Sequence, residues 1–235
     1  LIFDLDNTVF DTDPYFVDRK NKSFLEVTTN FPIENETPEE TASKISEEVR
    51  RKFLERNCKP LPVKVEYSRG LRDYYGDKFH PKMDEILHKY FHDFYNNSPE
   101  IFPEAVEIFK FLYNYKNMKF FAANSLAGKE WTGIKVNYMS SICNIPKFPF
   151  YTTDISKPKD WRYPIQDALL SGINLENILV IGDSLESDIK PAIDYGIEHL
   201  IWIDWRNRAT KEIYDIQNSA EIIVVSDLSD IWDIE

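Results

Sequence analysis

Leu1-Ile2-Phe3 is a short apolar run that stops at Asp4, and the residues beyond it, Leu5-Asp6-Asn7-Thr8, are polar apart from Leu5. A run apolar at every position and ending in acids predicts a strand buried on both faces that opens into a polar loop. The pattern then turns helical. Asp13 as N-cap with Pro14 at the first helical position predicts one helix, and Thr37-Pro38-Glu39-Glu40, a capping box, predicts a second running to about Asn57. Pro60, Pro62, Gly70 and Gly76 make Lys59 to Phe79 an expected irregular stretch. Pro81 introduces a further helix over Met83 to Tyr95, ended by Asn96-Asn97-Ser98-Pro99.

After Pro103 helix and strand alternate. Phe109, Phe111 and Leu112 belong to a helix, Lys119 to Ala123 to a strand, and Phe148 to Thr152 to another. Ile165 to Leu170 is helical, Ile178-Leu179-Val180-Ile181 is a fully buried strand ending in Gly182-Asp183, and Ile189 to Tyr195 is the next helix. Leu200 to Ile203 and Ile222 to Val225 complete about six strands. This alternation predicts an α/β fold, a doubly wound Rossmann-like parallel sheet. Residues 1–14 and 99–235 form its core, and 15–98 form an inserted α-helical domain.

Composition narrows the class. With 43% hydrophobic and 29% charged residues, the 235-residue chain can bury a sizeable core, which excludes collagen, low-complexity disorder and a disulfide scaffold. No apolar run approaches the ~20 residues that span a bilayer, so no membrane partner is expected. No basic-then-apolar leader is expected ahead of the first strand. The chain opens inside that strand without Met, so a short upstream segment is expected. Cys58 and Cys143 form no C-x-x-C pair, which predicts structural thiols and a reducing, cytoplasmic setting. The chain carries 28 basic and 40 acidic residues, a net charge of −12, which argues against a nucleic-acid partner. Residues 15–98 hold 15 of each sign, leaving 13 basic and 25 acidic residues elsewhere, so the whole −12 sits on the α/β part.

Several site signatures are absent: there is no G-x-G-x-x-G, no Walker glycine loop and no G-x-S-x-G elbow. His88 and His92 are four apart on one helix, but Lys89 stands where a zinc protease has Glu, which favours a solvated or capping pair. What remains is Asp4-x-Asp6-x-Thr8 after one apolar strand and Gly182-Asp183-Ser184-Leu185-Glu186-Ser187-Asp188 after another, with Lys157-Pro158 between them. Ligands of open parallel sheets bind at the carboxyl ends of the strands, where Asp4 and Asp183 both fall. On neighbouring strands ~4.8 Å apart the two carboxylates can share one ion. A hard oxygen cluster suits Mg²⁺, and Asp6 can add its backbone carbonyl while its carboxyl stays free for proton transfer.

These residues resemble the haloacid dehalogenase (HAD) superfamily of phosphohydrolases over Leu1 to Thr12 and from about Pro99 onward. Asp4-Leu5-Asp6-Asn7-Thr8 matches the family's first motif, Lys157-Pro158 its lysine motif, and Gly182-Asp183 through Asp188 its final acidic motif. The resemblance implies a HAD-like core whose insert is a helical cap of the first class. It implies Asp4 as nucleophile, Asp6 as general acid and base, and Mg²⁺ held by Asp4, Asp6 and Asp183 with Asp188 supporting. It implies phosphate binding by Thr8, Asn124, Ser125 and Lys157. One motif departs: the family ends its second core strand in Ser or Thr, and here Ala123 takes that place. Either Ser125 substitutes, or Asn124 and backbone amides suffice.

The function so implied is a Mg²⁺-dependent phosphatase that hydrolyses a small phosphorylated metabolite through an aspartyl-phosphate, in a monomer or homodimer. A phosphomutase or a non-catalytic binding protein of the same fold are the alternatives, while Asp6 speaks against a dehalogenase. Arg69 and Arg72, in the expected inter-helix loop around Gly70, are the candidate specificity residues.

Overall fold

The computed structural model describes residues 1–56, 61–115, 118–155, 157–205 and 220–233, and divides the chain into two compact units. Leu1–Thr12 and Ser98–Glu235 form one, Asp13–Asn97 the other.

The first unit is built on six strands: β1 (Ile2–Phe3), β2 (Ala122–Ser125), β3 (Phe150–Thr152), β4 (Leu179–Gly182), β5 (His199–Ile203) and β6 (Glu221–Val225). They lie in the order β3-β2-β1-β4-β5-β6, every pair parallel. Parallel strands need crossovers, and these are α5 (Pro103–Asn114), α6 (Lys129–Ile142), α7 (Arg162–Leu170) and the short α8 (Lys190–Asp194). Successive strand residues face opposite sides, so Phe3, Ala123, Ile181 and Ile201 pack with Ile108 and Phe109 of α5 and Val136 and Met139 of α6. Ile2, Val180, Leu200 and Trp202 pack on the other face with Ile165 and Ala168 of α7 and Ala192 of α8. Helices on both faces make the sheet doubly wound. The chain direction reverses about β1 and β4, so their carboxyl ends open at the switch point.

The second unit is helical: α1 (Thr12–Asn30), α2 (Pro38–Glu55), α3 (Val63–Tyr75) and α4 (Pro81–Asn96). Phe24, Val27, Ile45, Val49, Leu71, Leu87 and Phe91 fill its core. The capping box of α2 is formed: the Glu40 N–H donates to the Thr37 hydroxyl at 3.2 Å, and the Thr37 N–H donates to the Glu40 carboxylate at 2.9 Å. Asn57 and Cys58 lie outside the described residues. Cys143 is a buried free thiol, pushed up to about 11 by burial.

Two elements correct the sequence-based expectation. The stretch expected to be irregular contains α3, and Gly70 sits inside that helix instead of breaking it. A Cβ there would lie 2.2 Å from Cγ2 of Val49, so the glycine marks the close crossing of α2 and α3. Helix α6 went unpredicted altogether. No helix among the described residues is long and apolar enough to cross a membrane.

Candidate active site

Asp4 follows β1 directly, and its N–H donates to the Ile181 carbonyl at 2.9 Å, continuing the ladder to β4. Across that ladder β4 ends in Gly182 and Asp183, followed by a single wide π-type turn over Leu185–Ile189. Ser184 caps this turn by accepting from the Ser187 N–H at 3.2 Å, and its own N–H donates to Oδ2 of Asp188 at 3.0 Å. The turn thereby folds Asp188 back under the strand end, where it is fully buried. Only glycine fits beneath it, since a Cβ on Gly182 would stand 2.5 Å from the Cβ of Asp188 and 2.6 Å from its carboxyl group. Gly182→Ala is therefore expected to displace Asp188 and cut turnover at least tenfold, checked by kinetics beside a thermal melt.

Oxygens of Asp4, Asp183 and Asp188 lie within 4.8 Å of one another. Burial pushes the Asp4 carboxyl up to about 7, and Lys159 only partly opposes it, while Asp188 and Asp6 add to the rise. Burial, with Asp4 and Asp188, pushes Asp183 up to about 8. One lysine answers this crowding. The Lys159 ammonium, 1% exposed, donates to Oδ1 of Asp4 and to Oδ1 of Asp188, each at 2.5 Å. Burial alone would lower the Lys159 pKa; Asp188 and Asp4 outweigh it and raise the group above its usual value.

A lysine lies in this cluster, then, but it is Lys159 and not Lys157. Lys157 is exposed, and its backbone N–H closes a turn onto the Asp154 carbonyl. Two residues on, past the exposed Pro158, the chain carries the second lysine to the carboxylates. Arg69 and Arg72 are likewise placed differently from expectation: both stand on α3, with Arg69 exposed. Arg72 pairs with Asp84 at 2.6 Å and lies over the Phe79 ring, so its guanidinium is committed within the helical unit.

The residues proposed for phosphate binding are drawn inward. Asn124 is fully buried, and its amide donates to the Asp160 carbonyl at 3.2 Å, tying β2 to the segment that carries Lys159. The Ser125 hydroxyl faces Oδ2 of Asp6 at 3.4 Å. Thr8 Oγ1 and Asn124 Oδ1 are buried without a hydrogen-bond partner.

Asp6 itself is set apart from the acidic trio. Both of its oxygens accept from the Lys135 ammonium, at 2.6 and 2.7 Å, and Oδ1 also accepts from the Thr12 hydroxyl at 2.8 Å. Lys135 is fully buried, with its ammonium 3.8 Å from the centroid of the Trp131 ring. The sequence carried a signal for it: Trp131, Lys135 and Met139 are spaced by four on the buried face of α6, and a lysine in an apolar stripe requires a buried anion. Three indoles fix the loops around these groups. Trp161 donates to the Ser187 carbonyl and Trp202 to that of Asp183, both at 2.9 Å, and Trp205 donates to that of Asn7.

Burial and mutual repulsion that favour protons on Asp4 and Asp183 also favour a cation, so the all-oxygen group of Asp4, Asp183 and Asp188 can hold a hard metal ion. The sequence profile of the haloacid dehalogenase-like hydrolases matches residues 1–202. The chain belongs to that family of hydrolases. No curated protein matches its sequence. Solved structures with the same fold are distant in sequence. A HAD phosphatase from Thermococcus onnurineus is 14% identical with a TM-score of 0.58, covering 99% of this chain and 95% of its own. A protein named as a β-phosphoglucomutase from Thermotoga maritima is 14% identical, with a TM-score of 0.63 and the same coverage. A 2-haloacid dehalogenase from Pseudomonas syringae pv. Tomato DC3000 is 18% identical, with a TM-score of 0.56 over 99% of this chain and 95% of its own.

Proposed function

We propose that this hydrolase is a Mg²⁺-dependent phosphatase of small phosphate monoesters, working through an aspartyl-phosphate on Asp4. The observation that carries the reading is the trio Asp4, Asp183 and Asp188, of which the buried Asp4 and Asp188 share one lysine, beside a separately held carboxylate, Asp6. Lys159 engages one oxygen of Asp4, while the other accepts no hydrogen bond among the described residues and is available to attack phosphorus in line. Attack by an anion on a dianionic phosphoryl group is opposed by charge, and Lys159 offsets part of that repulsion. Bound Mg²⁺, held by Asp4, Asp183 and the Asp6 backbone carbonyl, would supply the remaining positive charge at the phosphoryl oxygens. Asp188 keeps Lys159 and the turn in place. Asp6, entering the first half-reaction protonated, gives that proton to the leaving oxygen and, as the carboxylate so formed, takes one from the attacking water in the second.

Phosphate release from a panel of monoesters, with and without chelator, tests this. Turnover that survives exhaustive chelation, or folded, Mg²⁺-loaded protein inert on the whole panel, would refute the reading. A retained phosphoryl group passed between two positions of a sugar would mark the phosphomutase alternative.

Metal binding also has a pH signature. Asp4 and Asp183 hold protons more tightly folded than unfolded, against an ordinary value of 3.8, so without cation their contribution to stability is present at low pH and lost as pH rises toward about 7 and about 8. A cation reverses this by favouring the ionised forms. The gain in Tm on adding Mg²⁺ is expected to be small near about pH 6 and to grow through about pH 8.5. A gain independent of pH would argue against these ligands.

A further inference from the structure

Asp6 is held by groups from three separate segments, and the chief one has no assigned role. Lys135 comes from α6, is fully buried, and places its ammonium 2.6 and 2.7 Å from the two Asp6 oxygens. Thr12 donates to one oxygen and Ser125 approaches the other at 3.4 Å. Trp131, one helical turn before Lys135, puts its ring 3.8 Å from the ammonium. A lysine side chain ordinarily has wide rotamer freedom; here the aromatic face on one side and two carboxylate oxygens on the other leave it one position.

We infer that Lys135 is a positioning residue for proton transfer by Asp6. The inference rests on the phosphatase reading above. A carboxylate gripped at both oxygens cannot turn about its Cβ–Cγ bond, so the direction from which it meets a leaving oxygen or a water is set by Lys135, through Asp6 and without touching substrate. Lys159 cannot substitute, since it is spent on Asp4 and Asp188. The arrangement gives each catalytic carboxylate its own lysine: one beside the nucleophile, one behind the proton carrier. Misplacing a catalytic group by about an ångström can cost roughly a hundredfold, and the loss should fall on substrates that need the proton most.

The test uses two esters of similar shape, para-nitrophenyl phosphate with a good leaving group and phenyl phosphate with a poor one, on the full chain with Mg²⁺. Lys135→Met is expected to lower kcat on phenyl phosphate roughly a hundredfold and on para-nitrophenyl phosphate by much less, with KM little changed. In the Asp6→Asn background the same substitution should add almost nothing, because the group it positions is gone. Lys135→Arg, which keeps the charge against Trp131, should recover part of the loss. If Lys135→Met does not fold by thermal melt, Lys135→Arg read in both backgrounds carries the same comparison. Equal losses on the two esters, an undiminished loss in the Asp6→Asn background, or no loss at all overturns the inference while leaving an active parent a phosphatase. A folded parent inert on both esters overturns the phosphatase reading and this inference with it.

Discussion

Lys159→Met is expected to abolish turnover and destabilise the fold, while Lys157→Met leaves both nearly as they were. Lys159 is 1% exposed and its ammonium bridges two carboxylates at 2.5 Å, each itself almost wholly buried. Removing one partner of a buried ion pair strands the other, at a cost of about 3–5 kcal/mol, a large share of the roughly 5–15 kcal/mol that holds a domain folded. Here two anions are stranded beside a third. Under the proposed mechanism the same substitution also removes the positive charge beside the attacking oxygen and the phosphoryl group, which should lower kcat by about a thousandfold or more. The stability deficit should shrink in mild acid, where the stranded Asp4 takes up a proton, and widen as pH rises toward and past about 7. Lys157, exposed and, among the described residues, held through its backbone N–H, should move stability by no more than ~0.5 kcal/mol. Urea titrations at two pH values and phosphate-release kinetics on both variants check this. Equal losses from the two lysines, or an active Lys159→Met, would contradict the geometry.

Asp4→Asn is expected to remove about 10⁴-fold or more of the activity, since a neutral amide cannot displace a leaving group at phosphorus. It should do so without unfolding the protein. Asparagine keeps the shape and still accepts from Lys159, and Asp188 remains to pair the ammonium. Loss of the Asp4 charge also relieves Asp183, whose upward shift is owed first to burial and next to Asp4. Metal-free stability near neutral pH should therefore stay close to that of the parent. Rapid acid quenching after labelled substrate should trap phosphate on the parent and none on the variant. A variant that still acquires covalent label would remove Asp4 from the role of nucleophile.

Much of the core was legible because its signals are local. Continuous apolar runs such as Ile178 to Ile181 mark strands buried on two faces, and acids at their ends mark the sheet edge where ligands bind. The capping box at Thr37 places the start of α2 to the residue. Gly70 misled for a physical reason: a glycine breaks a helix through its backbone freedom but also permits two helices to touch, and only the partner surface, Val49, decides between them. Once the loop became a helix, the expected place of Arg69 and Arg72 went with it.

The lysines show where local reasoning ends. Lys157-Pro158-Lys159 offers two ammonium groups within three residues, and composition cannot say which turns inward. The choice was made by the partners, Asp4 from β1 and Asp188 from the turn after β4, lying 155 and 29 residues away in the chain. Lys135 and Asp6 are 129 residues apart and meet because α6, between β2 and β3 in the chain, packs on the same sheet face as Phe3 of β1. The sequence by itself determined the strand order of events along the chain, the acids at the strand ends and the helical insert, because hydrophobic period and capping act over a few residues. The tertiary structure alone decided which cation answers which carboxylate, because a buried charge must find its counter-charge in space, and spacing along the chain does not measure that distance.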